Sequence, residues 1–131
     1  MKTFGDVFKP SDWKTEKHVP LIECPESIKK CALFDIKVTI VKEVAHPNTT
    51  DHHIRWIQVF FHPDGGKFSY QLANCEFSAH GASAEGADKS PAYTNHSATI
   101  AVKLSQQGTI YAISFCNIHG LWENGKSIKV D

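Results

Sequence analysis

Apolar and polar residues alternate at a period of two along much of the chain after residue 34. In an extended backbone successive side chains point to opposite faces, so this alternation predicts strands with one face buried. FDIKVTIV (34–41) is the clearest run, and IRWIQVFF (54–61), FSYQLANCEF (68–77), ATIAVKL (98–104) and TIYAISF (109–115) follow it. All are rich in β-branched and aromatic residues, which fit a pleated, half-buried surface. SIKV (127–130) predicts a last edge strand. Pro63-Asp64-Gly65-Gly66 and Gln106-Gln107-Gly108 predict hairpin turns. Short helical turns are expected near 3–8 and 25–30, and no helical period is sustained after residue 34. The pattern therefore predicts an all-β domain spanning 1–131, an antiparallel sandwich of about seven strands. The stretch 78–97, SAHGASAEGADKSPAYTNHS, is rich in Gly, Ala and Ser and predicts a long surface loop.

Composition narrows the function. Lys plus Arg and Asp plus Glu balance at 14 each in 131 residues, against the basic excess of a nucleic-acid binder. No apolar run approaches the roughly 18 residues of a membrane span. The segment MKTFGDVFKPSDWK has no apolar stretch of a signal peptide, so a cytoplasmic protein with reduced thiols is expected.

The eight histidines raise the question of a metal. Cys116 and His119, in CNIHGLWENG (116–125), follow a predicted strand at a spacing that lets both reach one ion. His46, His52 and His53 fall within HPNTTDHHI (46–54), between two predicted strands. His52 and His53 would face opposite ways in an extended chain, so only one of them is expected to join His46. His18 lies in EKHVP (16–20), where Pro20 holds Val19 extended. His62, His80 and His96 read as structural or solvated, and Cys24, Cys31 and Cys75 have no zinc-site spacing.

A different class is also written in the sequence. Asn48-Thr49-Thr50 and Asn95-His96-Ser97 match the glycosylation acceptor pattern, and Cys31, Trp56 and Cys75 follow the Cys-Trp-Cys order of immunoglobulin domains. A secreted binding module would use both features, but the histidines in the inter-strand loops and the lack of a signal peptide argue against it.

Were His18, His46, His52, Cys116 and His119 to converge, the donors would be four imidazoles and one thiolate. A structural zinc takes four ligands and leaves none over. A Met-ligated copper is disfavoured, since Met1 is the only methionine. Five N/S donors suit a six-coordinate ion with one open position, and iron accepts both ligand types.

EKHVP, HPNTTDHHI and CNIHGLWE, in that order and with the hairpin FFHPDGG, closely resemble the one-iron, neelaredoxin-type superoxide reductases of the desulfoferrodoxin family. The resemblance runs from about Phe4 onward, without the extra N-terminal rubredoxin-like domain and CxxC motif of two-iron relatives. It implies an immunoglobulin-like β-sandwich and one iron per subunit, with His18, His46, His52 and His119 as equatorial ligands and Cys116 as the axial one. It also selects His52 over His53. It implies that superoxide is reduced by one electron to hydrogen peroxide, with a rubredoxin-like protein as electron donor, in a homotetramer. Lys17 is then expected to attract the anion, and Glu16 to ligate the ferric iron. Gly120 is expected to permit a tight turn, with Leu121 and Trp122 beside the metal. A superoxide dismutase using the same iron and a plain electron carrier are the competing chemistries.

Overall fold

In the computed structural model, residues 1–12, 15–40 and 45–131 are described. A 3-10 turn at Phe4–Val7 opens the chain, with the Thr3 N–H donating to the Asp6 carboxylate at 2.8 Å. The strands are β1 (Pro20–Glu23), β2 (Ser27–Ile28), β3 (Phe34–Ile40), β4 (Ile54–Pro63), β5 (Tyr70–Glu76), β6 (Ser97–Val102), β7 (Gly108–Cys116) and β8 (Gly120–Val130). Val41, the end of the predicted first strand, lies outside the described residues. A three-stranded sheet, β1-β3-β6, faces a five-stranded sheet, β2-β8-β7-β4-β5. Among the described residues, no helix is long and apolar enough to cross a membrane.

The core follows from the alternation. Ile36, Val38 and Ile40 of β3 face Ile57 and Val59 of β4 and Ile110 and Ala112 of β7, all essentially sealed from water. A fully buried aliphatic side chain stabilises the fold by about 1.5–3 kcal/mol. In β4 the alternation breaks once. Ile54 pairs with Cys116 and Trp56 with Phe115, so Arg55 is an extra residue in a β-bulge. The bulge shifts the phase, and both Ile54 and Ile57 point inward three residues apart.

Four expectations need correction. Residues 25–30 hold the short strand β2, not a helical turn, because Lys129 N–H bonds to Glu26 O and Asp131 N–H to Ile28 O. The pairing of β2 with β8 is parallel, so the sandwich is not wholly antiparallel. SIKV is the end of an eleven-residue strand flanked by β2 and β7, not an edge. Gln106-Gln107-Gly108 is not a hairpin; it carries the chain from β6 in one sheet to β7 in the other. Its glycine is needed for close approach. A Cβ on Gly108 would lie 2.2 Å from the His62 carbonyl oxygen and 2.8 Å from Pro63 Cα. Because both obstacles are backbone, Gly108→Ala should force β4 and β7 apart and lower stability by about 2 kcal/mol or more in urea denaturation; an unchanged midpoint would show that the strands part freely here.

Candidate metal centre

Antiparallel pairing brings the candidate ligands to one end of the sandwich. The register Pro20↔Ile40 sets the chain before β1 beside the chain after β3. His18 is on the first and His46 on the second. The register Ile54↔Cys116 sets the loop before β4 against the end of β7. His52 is on that loop, Cys116 ends β7, and His119 is in the turn to β8. Gly120, at φ +82°, closes that turn in a conformation L side chains avoid.

The ligating atoms of His18, His52, Cys116 and His119 all lie within 4.8 Å of one another. His18 Nε2 is 3.1 Å from His119 Nδ1. Two nitrogens bound at right angles to one ion at about 2.1 Å would be about 3 Å apart. Cys116 Sγ is 3.9 Å from His119 Nδ1 and accepts the His119 N–H at 3.4 Å. His46 is outside that group, yet its ring completes a square. Successive centroids are 4.9 Å (His18–His46), 4.8 Å (His46–His52), 5.0 Å (His52–His119) and 4.7 Å (His119–His18). The diagonal His18–His52 is 6.4 Å, slightly short of that of a regular square with these sides.

The nitrogens themselves ask for an ion. His46 Nδ1–H donates to the Pro47 carbonyl at 2.6 Å, which leaves Nε2 as a lone pair. That Nε2 and the Nε2 of His52 are buried with no hydrogen-bond partner among the described residues. Such orphaned acceptors fit a metal site, and four imidazoles with a thiol form a donor set acceptable to iron. Among the described residues His53 Nε2 is also unpartnered, but the His53 ring is not part of the square and stacks on His80 instead.

Burial sets the protonation. It pushes the His46 pKa down to about 4 against the opposing pull of the Pro47 carbonyl. His18 and His52 are likewise lowered, first by burial. The Lys17 ammonium disfavours protonation of both. Glu16 is not in the donor group. Its carboxylate accepts the His18 Nδ1–H at 2.6 Å and the His18 N–H at 3.1 Å. Burial raises the Glu16 carboxyl, but the His18 hydrogen bond and charge outweigh it, and the net shift is downward. A carboxylate on Nδ1–H fixes the tautomer that leaves Nε2 free for a metal.

Trp122 stacks on His18 at 4.8 Å and 12°, and its indole N–H donates to His119 O at 3.2 Å. Two supports escaped the sequence reading. Ser114 Oγ, fully buried, donates to His18 O at 2.9 Å and fastens that segment to β7. Asn117 accepts the His53 N–H at 2.9 Å and donates to Asp51 O at 2.9 Å, tying one ligand loop to the other. Ser114 had a signal: it is the hydroxyl in the inward series Ile110, Ala112, Ser114, Cys116. The secreted-module reading loses its footing. Cys31 and Cys75 are free thiols, and both ends of the Asn48 amide are engaged, with Thr94 O at 3.0 Å and His80 Nδ1 at 3.1 Å.

The desulfoferrodoxin family pattern matches residues 10–125. The chain is 53% identical over 125 residues to a neelaredoxin from Megalodesulfovibrio gigas, covering 95% of this chain and 96% of that one. It is 47% identical over 125 residues to a superoxide reductase from Pyrococcus furiosus, covering 95% and 98%. The solved superoxide reductase (neelaredoxin) of Archaeoglobus fulgidus, in its reduced form, superposes with a TM-score of 0.87 at 45% identity, covering 94% and 98%. This chain belongs to the desulfoferrodoxin family.

The buried histidines make the metal-free protein acid-sensitive. The folded His46 pKa, about 4, lies below the unfolded value of 6.5, so between them the unfolded chain holds more protons. His46 therefore contributes stability above pH 6.5 that is lost as the pH falls towards about 4. The magnitude is on the order of 3 kcal/mol. Denaturation of metal-free protein at steps across this window should show the loss, and His46→Gln should flatten it; equal pH slopes for the two proteins would exclude His46 as the cause.

Proposed function

We propose that this chain is a superoxide reductase with one iron held by His18, His46, His52, His119 and Cys116. It reduces superoxide by one electron, with two protons, to hydrogen peroxide. The carrying observation is the square of imidazole rings, with the Cys116 thiol close to the ligating atoms of three of them, His18, His52 and His119. When bound, the iron supplies a ferrous–ferric couple and an open position for a small anion.

The chain's own residues do the rest. Lys17 offers the positive charge that steers superoxide inward. At about 4 Å and an effective dielectric of about 20 that attraction has an upper end of roughly 4 kcal/mol, much less if solvated. Cys116, as a thiolate ligand, would donate electron density to the metal. Glu16 holds the His18 tautomer in the geometry described above, and its carboxylate would supply an oxygen donor to the ferric iron. Trp122 covers one face of His18 and limits water there. His119, exposed at the surface, leaves the centre close to an incoming electron donor. That donor is a rubredoxin-like protein, the location is the cytoplasm, and the assembly is a homotetramer. The unpaired edges at β5, β1 and β6 suit such assembly.

Iron analysis and an optical spectrum before and after oxidation test the reading first; a colourless zinc protein would end it. Cys116→Ser should abolish the thiolate-to-ferric absorption, and its persistence would exclude Cys116 as a ligand. Lys17→Ala should slow the reaction with superoxide several-fold and weaken its salt dependence in stopped-flow or pulsed measurements; an unchanged rate and slope would remove Lys17 from steering. Oxygen release without an external electron source would mark a dismutase instead.

A further inference from the structure

The loop that carries His46 and His52 is held from outside by a segment far away in sequence. Residues 78–97, which join β5 to β6, touch it at four points. His80 stacks flat on His53, with centroids 3.6 Å apart and planes 4° from parallel. The same ring meets Asn48 Oδ1 at 3.1 Å through Nδ1 and Phe77 O at 2.7 Å through Nε2. Asp88 Oδ1 accepts the Thr50 N–H at 2.7 Å and the Thr50 hydroxyl at 3.0 Å. Thr94 O accepts from Asn48 Nδ2, and the buried His96 ring lies 5.8 Å from His46, edge to face.

The segment is built to hold these contacts. Thr94 N–H bonds to Ala79 O at 2.9 Å and Lys89 N–H to Gly81 O at 3.2 Å, closing it on itself. Asp88 sits at φ +60°, a conformation that costs energy for a non-glycine residue. Gly81 makes room for it: a Cβ there would lie 2.9 Å from Asp88 Oδ1 and 2.9 Å from the Tyr93 hydroxyl. A strained residue kept in place by a local close fit, and spent on two hydrogen bonds to Thr50, is unlike an idle surface loop. Thr50 stands between the two ligands His46 and His52, whose donor atoms must be held to within about 0.5 Å for metal binding.

We propose that segment 78–97 is a strap that positions the His46–His52 loop for the metal, with His80 and Asp88 as its positioning residues. The proposal rests on the metal-centre reading above. It assigns work to a histidine that neither ligates nor faces the donor group. It also explains how the described part of the ligand loop, 45–53, can carry two imidazoles without regular secondary structure: it borrows rigidity from the β5–β6 connection.

The test uses the full-length, iron-loaded protein. His80→Phe keeps a flat ring on His53 and removes both hydrogen bonds; Asp88→Ala removes both bonds to Thr50; Asp88→Asn keeps an acceptor. The readouts are the half-time of iron loss to excess ferrous chelator and the position of the thiolate-to-ferric band, with the melting temperature of the metal-free protein as control. His80→Phe and Asp88→Ala should each release iron about tenfold faster and shift the band, at a melting temperature close to the wild type, and Asp88→Asn should restore most of the difference. Thr50→Val, a milder change, should release iron several-fold faster and serves if either variant fails to fold. Wild-type release and band position in the folded variants would overturn the strap, as would release that tracks melting temperature alone. A wild type with no iron and no band would instead sink the metal-centre reading on which the strap depends.

Discussion

Two imidazole nitrogens, His46 Nε2 and His52 Nε2, are buried without a hydrogen-bond partner among the described residues, and most of this structure can be understood from what that demands. Leaving such a group unpaired costs about 1–3 kcal/mol. Protonation offers no escape, because burial and neighbouring positive groups push the His18, His46 and His52 pKa values down. Neutral rings with lone pairs aimed into one space are what a cation needs. The fold therefore carries an unfavourable arrangement in the absence of metal and a favourable one in its presence.

The sandwich holds that arrangement by geometry more than by any single contact. Strand ends converge, so residues distant in sequence meet: His18 and His119 are 101 positions apart and 3.1 Å apart in space. The bulge at Arg55 lets Ile54 turn inward directly after His53, so the ligand loop leaves the core at its very edge. Ser114 and Asn117 then tie down the backbone of the segments that carry His18 and His52, and Trp122 stacks on the His18 ring. Glu16 belongs to the same set, since its grip on His18 Nδ1–H decides which nitrogen is free. Lys17 next to it disfavours protonation of His18 and His52.

Much of this was legible in the chain. β3 alternates cleanly between buried and exposed positions, as FDIKVTIV implies. β4, β5, β6 and β7 also fall where the periodicity placed them. β1 and β2 were not read as strands because four and two residues are too few to show a period. β8 was read too short because Gly120, Asn124 and Gly125 interrupt its pattern, while its pairing with β7 runs from Gly120 to Ile128 regardless. The turn at Gln106–Gly108 looked like a hairpin because turn chemistry reports a reversal, not which sheet the next strand joins.

The sequence by itself determined the family and the chemical types of the candidate ligands. Residue types and their local spacing are one-dimensional facts, and CNIHGLWE, HPNTTDHHI and EKHVP carry them intact. Only the tertiary structure decided how those residues relate. It turned four histidines into a square and put Glu16 on His18 rather than among the donors. It also placed His80, bland in sequence, flat against His53 behind the ligand loop. The reason is that strand register and sheet partnership are set by the whole core at once. A one-residue slip would turn every inward side chain outward, and no local stretch of this chain contains that information.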